Sequence, residues 1–241
     1  HAAFDKAAQV MDLEIRRAPL TEDKRVDPEA LRALIDDHTM LIVGSAPCYP
    51  HGVIDPVDAL SAIALERGIW LHVDACVGGW ILPFYKMNGA PIRTFDFSLP
   101  GVRSISADLH KFGFCPKPAS TVFFRDQADQ ERSAFVSDQW PAGVFRTATL
   151  AGTRPAGAVA AAWAVLNHLG TEGYRKAAAR MAAMTDAYVA DITAIEGMEF
   201  WAQPDMTLIN FGSRQHDMMK VAAAMMQKDW LVSMTRRPVG L

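Results

Sequence analysis

A lysine at position 111 and a carboxylate at position 74 are the two groups in this chain whose surroundings best suit chemistry. The run Val102, Ser104, Ile105, Ser106, Ala107 reads as a β-strand. It ends in Asp-Leu-His-Lys and breaks at Gly113 and Pro116, so Lys111 is predicted on the loop leaving a strand. Such loops are where open α/β sheets hold their ligands. A lysine amine is a nucleophile only when neutral, and its ordinary pKa of about 10.4 must be lowered by burial or a neighbouring cation. His110 beside it and the apolar Phe112, Phe114 and Cys115 predict such a setting. Most loop lysines are simply solvated cations; a second feature sets this one apart. Trp70 to Asp74 reads as a buried strand ending in a carboxylate, which is costly unless a cation meets it. A protonated pyridine nitrogen would be such a cation, and a lysine Schiff base would hold the same ring from its other end.

The string HVDAC, followed 37 residues after its aspartate by the lysine of SADLHK, resembles enzymes dependent on pyridoxal 5'-phosphate (PLP). The likeness is to the aspartate-aminotransferase fold (fold type I), in the group of group II amino-acid decarboxylases and sphingosine-1-phosphate lyases. HAAFDKAA at 1–8, PHGVIDPV at 50–57 and TLAGTRPAG at 149–157 are similar to the lyase branch, and together the strings cover residues 1 to about 175. The resemblance implies PLP as cofactor, with Lys111 forming the imine and Asp74 holding the ring nitrogen. It also implies that His1 lies over the ring face, that Tyr49 offers a hydroxyl near the reacting carbon, and that His110, Gly152 and Thr153 anchor the phosphate. In such enzymes the 152–153 segment reaches the cofactor phosphate of the neighbouring subunit, so a homodimer with shared active sites is expected. The implied reaction is retro-aldol cleavage of a phosphorylated long-chain amino alcohol to a fatty aldehyde and phosphoethanolamine. Two alternatives stand beside it: α-decarboxylation of an L-amino acid, which would share Lys111, Asp74 and His1, and a catalytically inactive PLP-fold binding module.

The elements needed to position these groups follow from pattern. His1 to Ala8 reads as a loop entering a helix that continues to about Met11, Leu13–Leu20 as a short strand, and Asp27-Pro28-Glu29 as a capped helix start. Met40–Ser45 is a continuous apolar strand of the kind found in parallel sheets covered on both faces. Pro56–Arg67 is a helix, and with Ile69–Asp74 it makes a right-handed β-α-β crossover. Ser120–Arg125 is a strand, Asp126–Thr147 is irregular with Trp140 and Phe145 buried, and Gly152 and Thr153 precede a helix starting near Pro155, an arrangement suited to phosphate. Long Ala-rich helices meet at Gly170, which divides a large PLP-binding domain (1–170) from a linking helix and partial α+β small domain (171–241). Strands at Met198–Ala202, Thr207–Phe211 and Trp230–Met234 and a helix at Asp217–Lys228 are expected there. The fold class is α/β with a mostly parallel sheet.

Half of the 241 residues are apolar, enough for a sizeable core, and 24 basic residues against 27 acidic give no electrostatic reason to expect nucleic acid. Cys48, Cys76 and Cys115 are odd in number and widely spaced, which predicts neither a disulfide framework nor a zinc site and points to a reducing, cytoplasmic setting. No metal site is expected. With His1 already inside a motif, the chain reads as a piece of a longer protein, and an upstream membrane anchor is left open.

Overall fold

A computed structural model describes residues 1–241. The chain opens with α1 (Ala2–Met11), capped by His1, whose Nδ1 accepts from the Ala3 amide at 3.1 Å. The strand expected at 13–20 is absent; only an isolated bridge joins Leu20 to Val26, because neither flank offers a second strand for it. Asp27 caps α2 (Pro28–Ala33), its Oδ1 accepting from the amides of Glu29 and Ala30 at 2.9 and 3.2 Å. The next elements are β1 (Leu41–Ser45), α3 (Val57–Arg67), β2 (Trp70–Asp74), α4 (Leu82–Met87), β3 (Val102–Asp108) and β4 (Ser120–Phe124). They form one sheet of order β1-β2-β3-β4, with the first three strands parallel and β4 antiparallel on the edge.

The two faces of this sheet have different chemistry. Leu71, Val73, Ile105 and Ala107 turn toward the core with Ile42, Leu60, Ile63 and Leu82, all buried. Trp70, His72, Asp74, Ser104, Ser106 and Asp108 share the opposite face, as the alternation of a strand requires. A register shift makes this possible. Leu71 pairs with Val102 but His72 with Ser104, so Arg103 is an extra residue that bends β3 and reverses its alternation. Without it the serines of β3 would face the core.

Beyond the sheet come α5 (Gln127–Ser133) and a hairpin of β5 (Phe135–Ser137) and β6 (Phe145–Thr147). This corrects the expectation of an irregular 126–147 segment with buried aromatics: Trp140 is 60% exposed and Phe145 48%. The long helix α6 (Gly157–Thr193) starts two residues later than expected and is bent at Gly170, whose φ of 53° and ψ of −174° are not helical. Glycine enters that backbone region without a Cβ penalty. A small C-terminal unit follows: β7 (Met198–Phe200) pairs with β8 (Phe211–Ser213), then α7 (Met218–Met226), then the hairpin of β9 (Thr235–Arg236) and β10 (Val239–Gly240). Its strands lie later in the chain than 207–211 and 230–234, since 203–210 is used to pack on the loop after β1. There, Gly52 (φ 71°) lies so close to Leu208 that a Cβ would stand 2.0 Å from that residue's carbonyl oxygen. No helix is long and apolar enough to cross a membrane.

Candidate active site

Asp74 closes β2, and its strand neighbours at the same level are Ser45 and Ser106. Its Oδ1 accepts from the Cys76 amide at 3.1 Å and from Ser106 Oγ at 3.4 Å, while Oδ2 accepts no hydrogen bond from the protein. Lys111 lies in the turn that leaves the adjacent parallel strand β3, so both groups sit at the C-terminal edge of neighbouring strands, where open α/β sheets bind ligands.

The turn that carries Lys111 is tied at several points. The Lys111 amide donates to Asp108 O at 3.2 Å, Phe114 N to Lys111 O at 3.1 Å, Cys115 N to Leu109 O at 3.0 Å, and His110 N to Ala119 O at 3.0 Å. From α6, the Tyr174 hydroxyl donates to Gly113 O at 2.7 Å, and the Tyr174 ring stacks on Phe84 at 4.9 Å. Burial pushes that phenol up to about 12, so it stays a donor. Sequence reading missed Tyr174 because 61 residues separate it from the carbonyl it holds.

The electrostatics of Lys111 differ from the expectation of an apolar, cation-flanked amine. Its Nζ is 3.0 Å from Asp108 Oδ2, and about a third of the side chain is exposed. His110 donates from Nδ1 to Ala119 O at 2.7 Å, and its Nε2 stands 3.8 Å from Asp108 rather than beside the lysine. Burial would raise the Asp108 carboxyl, but the hydrogen bond from Ser120 and the charge of Lys111 outweigh it and hold it below the usual carboxylate range. Asp108 is therefore the counter-ion of the lysine. The spacing in Asp-Leu-His-Lys carries that signal, since a turn brings residues i and i+3 together.

Cys76, two residues past Asp74, lies near both carboxylates. Burial, joined by Asp74 and Asp108 and opposed by a hydrogen bond with Ser106, pushes its thiol up to about 12. The start of α1 is also close. Phe4 meets the His72 ring edge-on at 6.0 Å, so α1 covers the polar face of the sheet.

Tyr49 is half exposed on the loop after β1 and lines a cavity of about 420 Å³ with His51, Asn210 and Arg236, between this loop and the C-terminal unit. His51 is buried with Nδ1 3.0 Å from Asn210 Oδ1, and burial lowers its pKa. Gly152 and Thr153 lie in exposed bends ahead of α6; within one chain they make no hydrogen bond with the Lys111 turn. Another cavity, of about 560 Å³, opens on the apolar face against Ile105, Ala107 and Phe123, and none of the candidate residues lines it.

Residues 1–214 match the pyridoxal-dependent decarboxylase conserved domain. A sphingosine-1-phosphate lyase of Arabidopsis thaliana is 40% identical over 238 residues, covering 99% of this chain and 44% of that protein. A probable L-tyrosine/L-aspartate decarboxylase of Methanothrix thermoacetophila is also 40% identical, over 241 residues, covering all of this chain and 61% of that protein. The solved sphingosine-1-phosphate lyase of Burkholderia pseudomallei superposes with a TM-score of 0.97 at 40% identity, covering 100% of this chain and 55% of that one. The chain thus spans about half the length of the lyases it matches. With its mostly parallel sheet and its aspartate and lysine at adjacent strand ends, the chain belongs to the pyridoxal-dependent decarboxylase family.

Proposed function

We propose that this chain forms most of the cofactor site of a PLP-dependent carbon–carbon lyase acting on a phosphorylated long-chain amino alcohol. The observation that carries the reading is the likeness to sphingosine-1-phosphate lyases over the whole chain, at 40% identity and a TM-score of 0.97 in the solved relative.

The residues fit PLP by the chemistry of their donor set. Asp74 Oδ2 is an unpartnered carboxylate oxygen, suited to accept a hydrogen bond from a pyridinium N–H, and Lys111 Nζ is a primary amine suited to covalent attachment of an aldehyde. When bound, PLP supplies an electron sink for charge leaving the substrate Cα. Asp74 keeps the ring nitrogen protonated. Asp108, 3.0 Å from Lys111 Nζ, holds the lysine side chain in place beside the strand end. Lys111 and the Tyr49 hydroxyl are the groups that move protons at the substrate. His1, at the start of the helix covering the polar face, shields the ring from water, and His110 together with Gly152 and Thr153 binds phosphate.

The 152–153 segment serves the site of a second copy. Phe135, Val136, Trp140, Val144, Phe145 and Leu150 form an exposed apolar strip just before it, more than an isolated chain leaves bare without cause. This supports a homodimer. Cys48, Cys76 and Cys115 are free thiols, which fits the cytoplasm.

A second reading, decarboxylation of an L-amino acid, is favoured by the 40% identity to the Methanothrix decarboxylase. The full-length protein, given a phosphorylated sphingoid base and separately L-tyrosine or L-aspartate, should release a long-chain aldehyde from the first and no carbon dioxide from the others. Carbon dioxide without aldehyde would overturn the lyase reading.

A further inference from the structure

The polar face of the sheet carries a continuous line of hydrogen bonds that ends on Asp74. Trp70 Nε1 lies 2.8 Å from Ser104 Oγ, and Ser104 Oγ lies 2.8 Å from His72 Nδ1. His72 Nε2 lies 3.2 Å from Ser106 Oγ, which is 3.4 Å from Asp74 Oδ1, the loosest link. The two ends decide the direction of every link. An indole N–H can only donate and an ionised carboxylate can only accept, whereas the hydroxyls and a neutral imidazole do both. Ser104 therefore accepts from Trp70 and donates to His72 Nδ1; His72 donates from Nε2 to Ser106; Ser106 donates to Asp74. The Cys76 thiol adds a second donor to Ser106 Oγ at 3.2 Å, filling its other lone pair and directing its own proton to the carboxylate. Burial supports this by holding His72 toward its neutral form and Cys76 toward its thiol.

We propose that His72 and Ser106 are positioning residues: a relay Trp70–Ser104–His72–Ser106 fixes His72 as its Nε2–H tautomer and fastens Asp74 Oδ1, so that Oδ2 is presented to the ring nitrogen of PLP. This rests on the reading of Asp74 given above. The relay depends on the extra residue Arg103, which puts Ser104 and Ser106 on the face of His72 and Asp74. A relay of this kind acts only on a ligand that has a ring nitrogen to meet. It does nothing for the phosphate or the aldehyde.

The test is the affinity of the full-length protein for PLP compared with its 1-deaza analogue, in which a C–H replaces the ring nitrogen. Wild type should prefer PLP. Ser106→Ala and His72→Phe should reduce that preference about tenfold, the size expected for losing a hydrogen bond to a charged group. Ser106→Thr and His72→Gln, which keep a hydroxyl and a donor, should keep the preference within about threefold of wild type. A purely structural loss would weaken both ligands equally and leave the ratio unchanged. A wild-type ratio in Ser106→Ala overturns the relay, whatever becomes of His72→Phe. No preference in wild type overturns the assignment of Asp74 to the ring nitrogen, and the relay with it.

Discussion

Replacing Asp205 with alanine should loosen the loop that carries Tyr49 and destabilise the protein by about 3 kcal/mol. The Asp205 carboxylate joins three parts of the chain. Its Oδ2 receives Arg25 Nη1 at 2.7 Å and the Ile54 amide at 2.6 Å, and its Oδ1 receives Arg25 Nη2 at 3.2 Å. Its own amide donates to Gly52 O at 2.9 Å. The Arg25 side chain is only 12% exposed, so removing its partner leaves a largely buried cation. Such a loss costs about 3–5 kcal/mol, and an unpaired buried amide at Ile54 adds about 1–3 kcal/mol. Two features reduce the total. Arg25 keeps Asp23 at 2.8 Å, and Asp205 is 23% exposed, which lets water replace part of what is lost. Asp205→Asn, which retains an acceptor for Ile54 but not the charge, should cost about half as much. Urea denaturation of the full-length protein followed by tryptophan fluorescence measures both. A cost below about 1 kcal/mol for Asp205→Ala, or a larger cost for Asn than for Ala, would show that the Arg25–Asp205 pair does not hold this loop.

Burial lowers the pKa of both His51 and His72, so the unfolded chain binds protons that the folded one does not. Stability should then fall as pH drops below about 6.5, by at most about 1.4 kcal/mol per pH unit for each histidine, and thermal melts between neutral and mildly acid pH would show it. A flat profile there would count against the burial of both rings. Val144→Glu with Phe145→Glu, on the exposed hairpin, should convert the proposed homodimer to monomer in sedimentation velocity; an unchanged assembly would remove the hairpin from the interface. Tyr174→Phe removes the donor to Gly113 O and should cost about 1 kcal/mol in the same urea experiment, with the fold retained by circular dichroism.

Much of the sheet was readable from the sequence, because β1 and β2 are largely apolar runs and β3 is a β-type run between Gly101 and Asp108. The Lys111 turn and the Asp74 strand end were readable for the same reason. The reversal of β3 at Arg103 was not, since a one-residue bulge leaves no mark in an alternation already mixed with serines. The true neighbour of Lys111 was marked only by the i, i+3 spacing of Asp108 and Lys111. The aromatic residues around it suggested an apolar pocket, yet Phe114 is 44% exposed and Asp108 supplies the contact. Trp140 and Phe145 were expected inside because sequence reports that a side chain is apolar and not what it packs against. In the C-terminal unit, short strands of two or three residues hold too little periodicity to place, and tertiary pairing of Phe211 with Leu241 decides where they form.

In the proposed site the Lys111 amine and the Asp74 carboxylate take hold of one pyridine ring. Borohydride reduction of the full-length protein with PLP, followed by proteolysis and mass spectrometry, tests it most directly. A phosphopyridoxyl group should appear on the peptide containing Lys111, and none on that peptide in Lys111→Ala. A label on Lys117 or another lysine with Lys111 unmodified would contradict it.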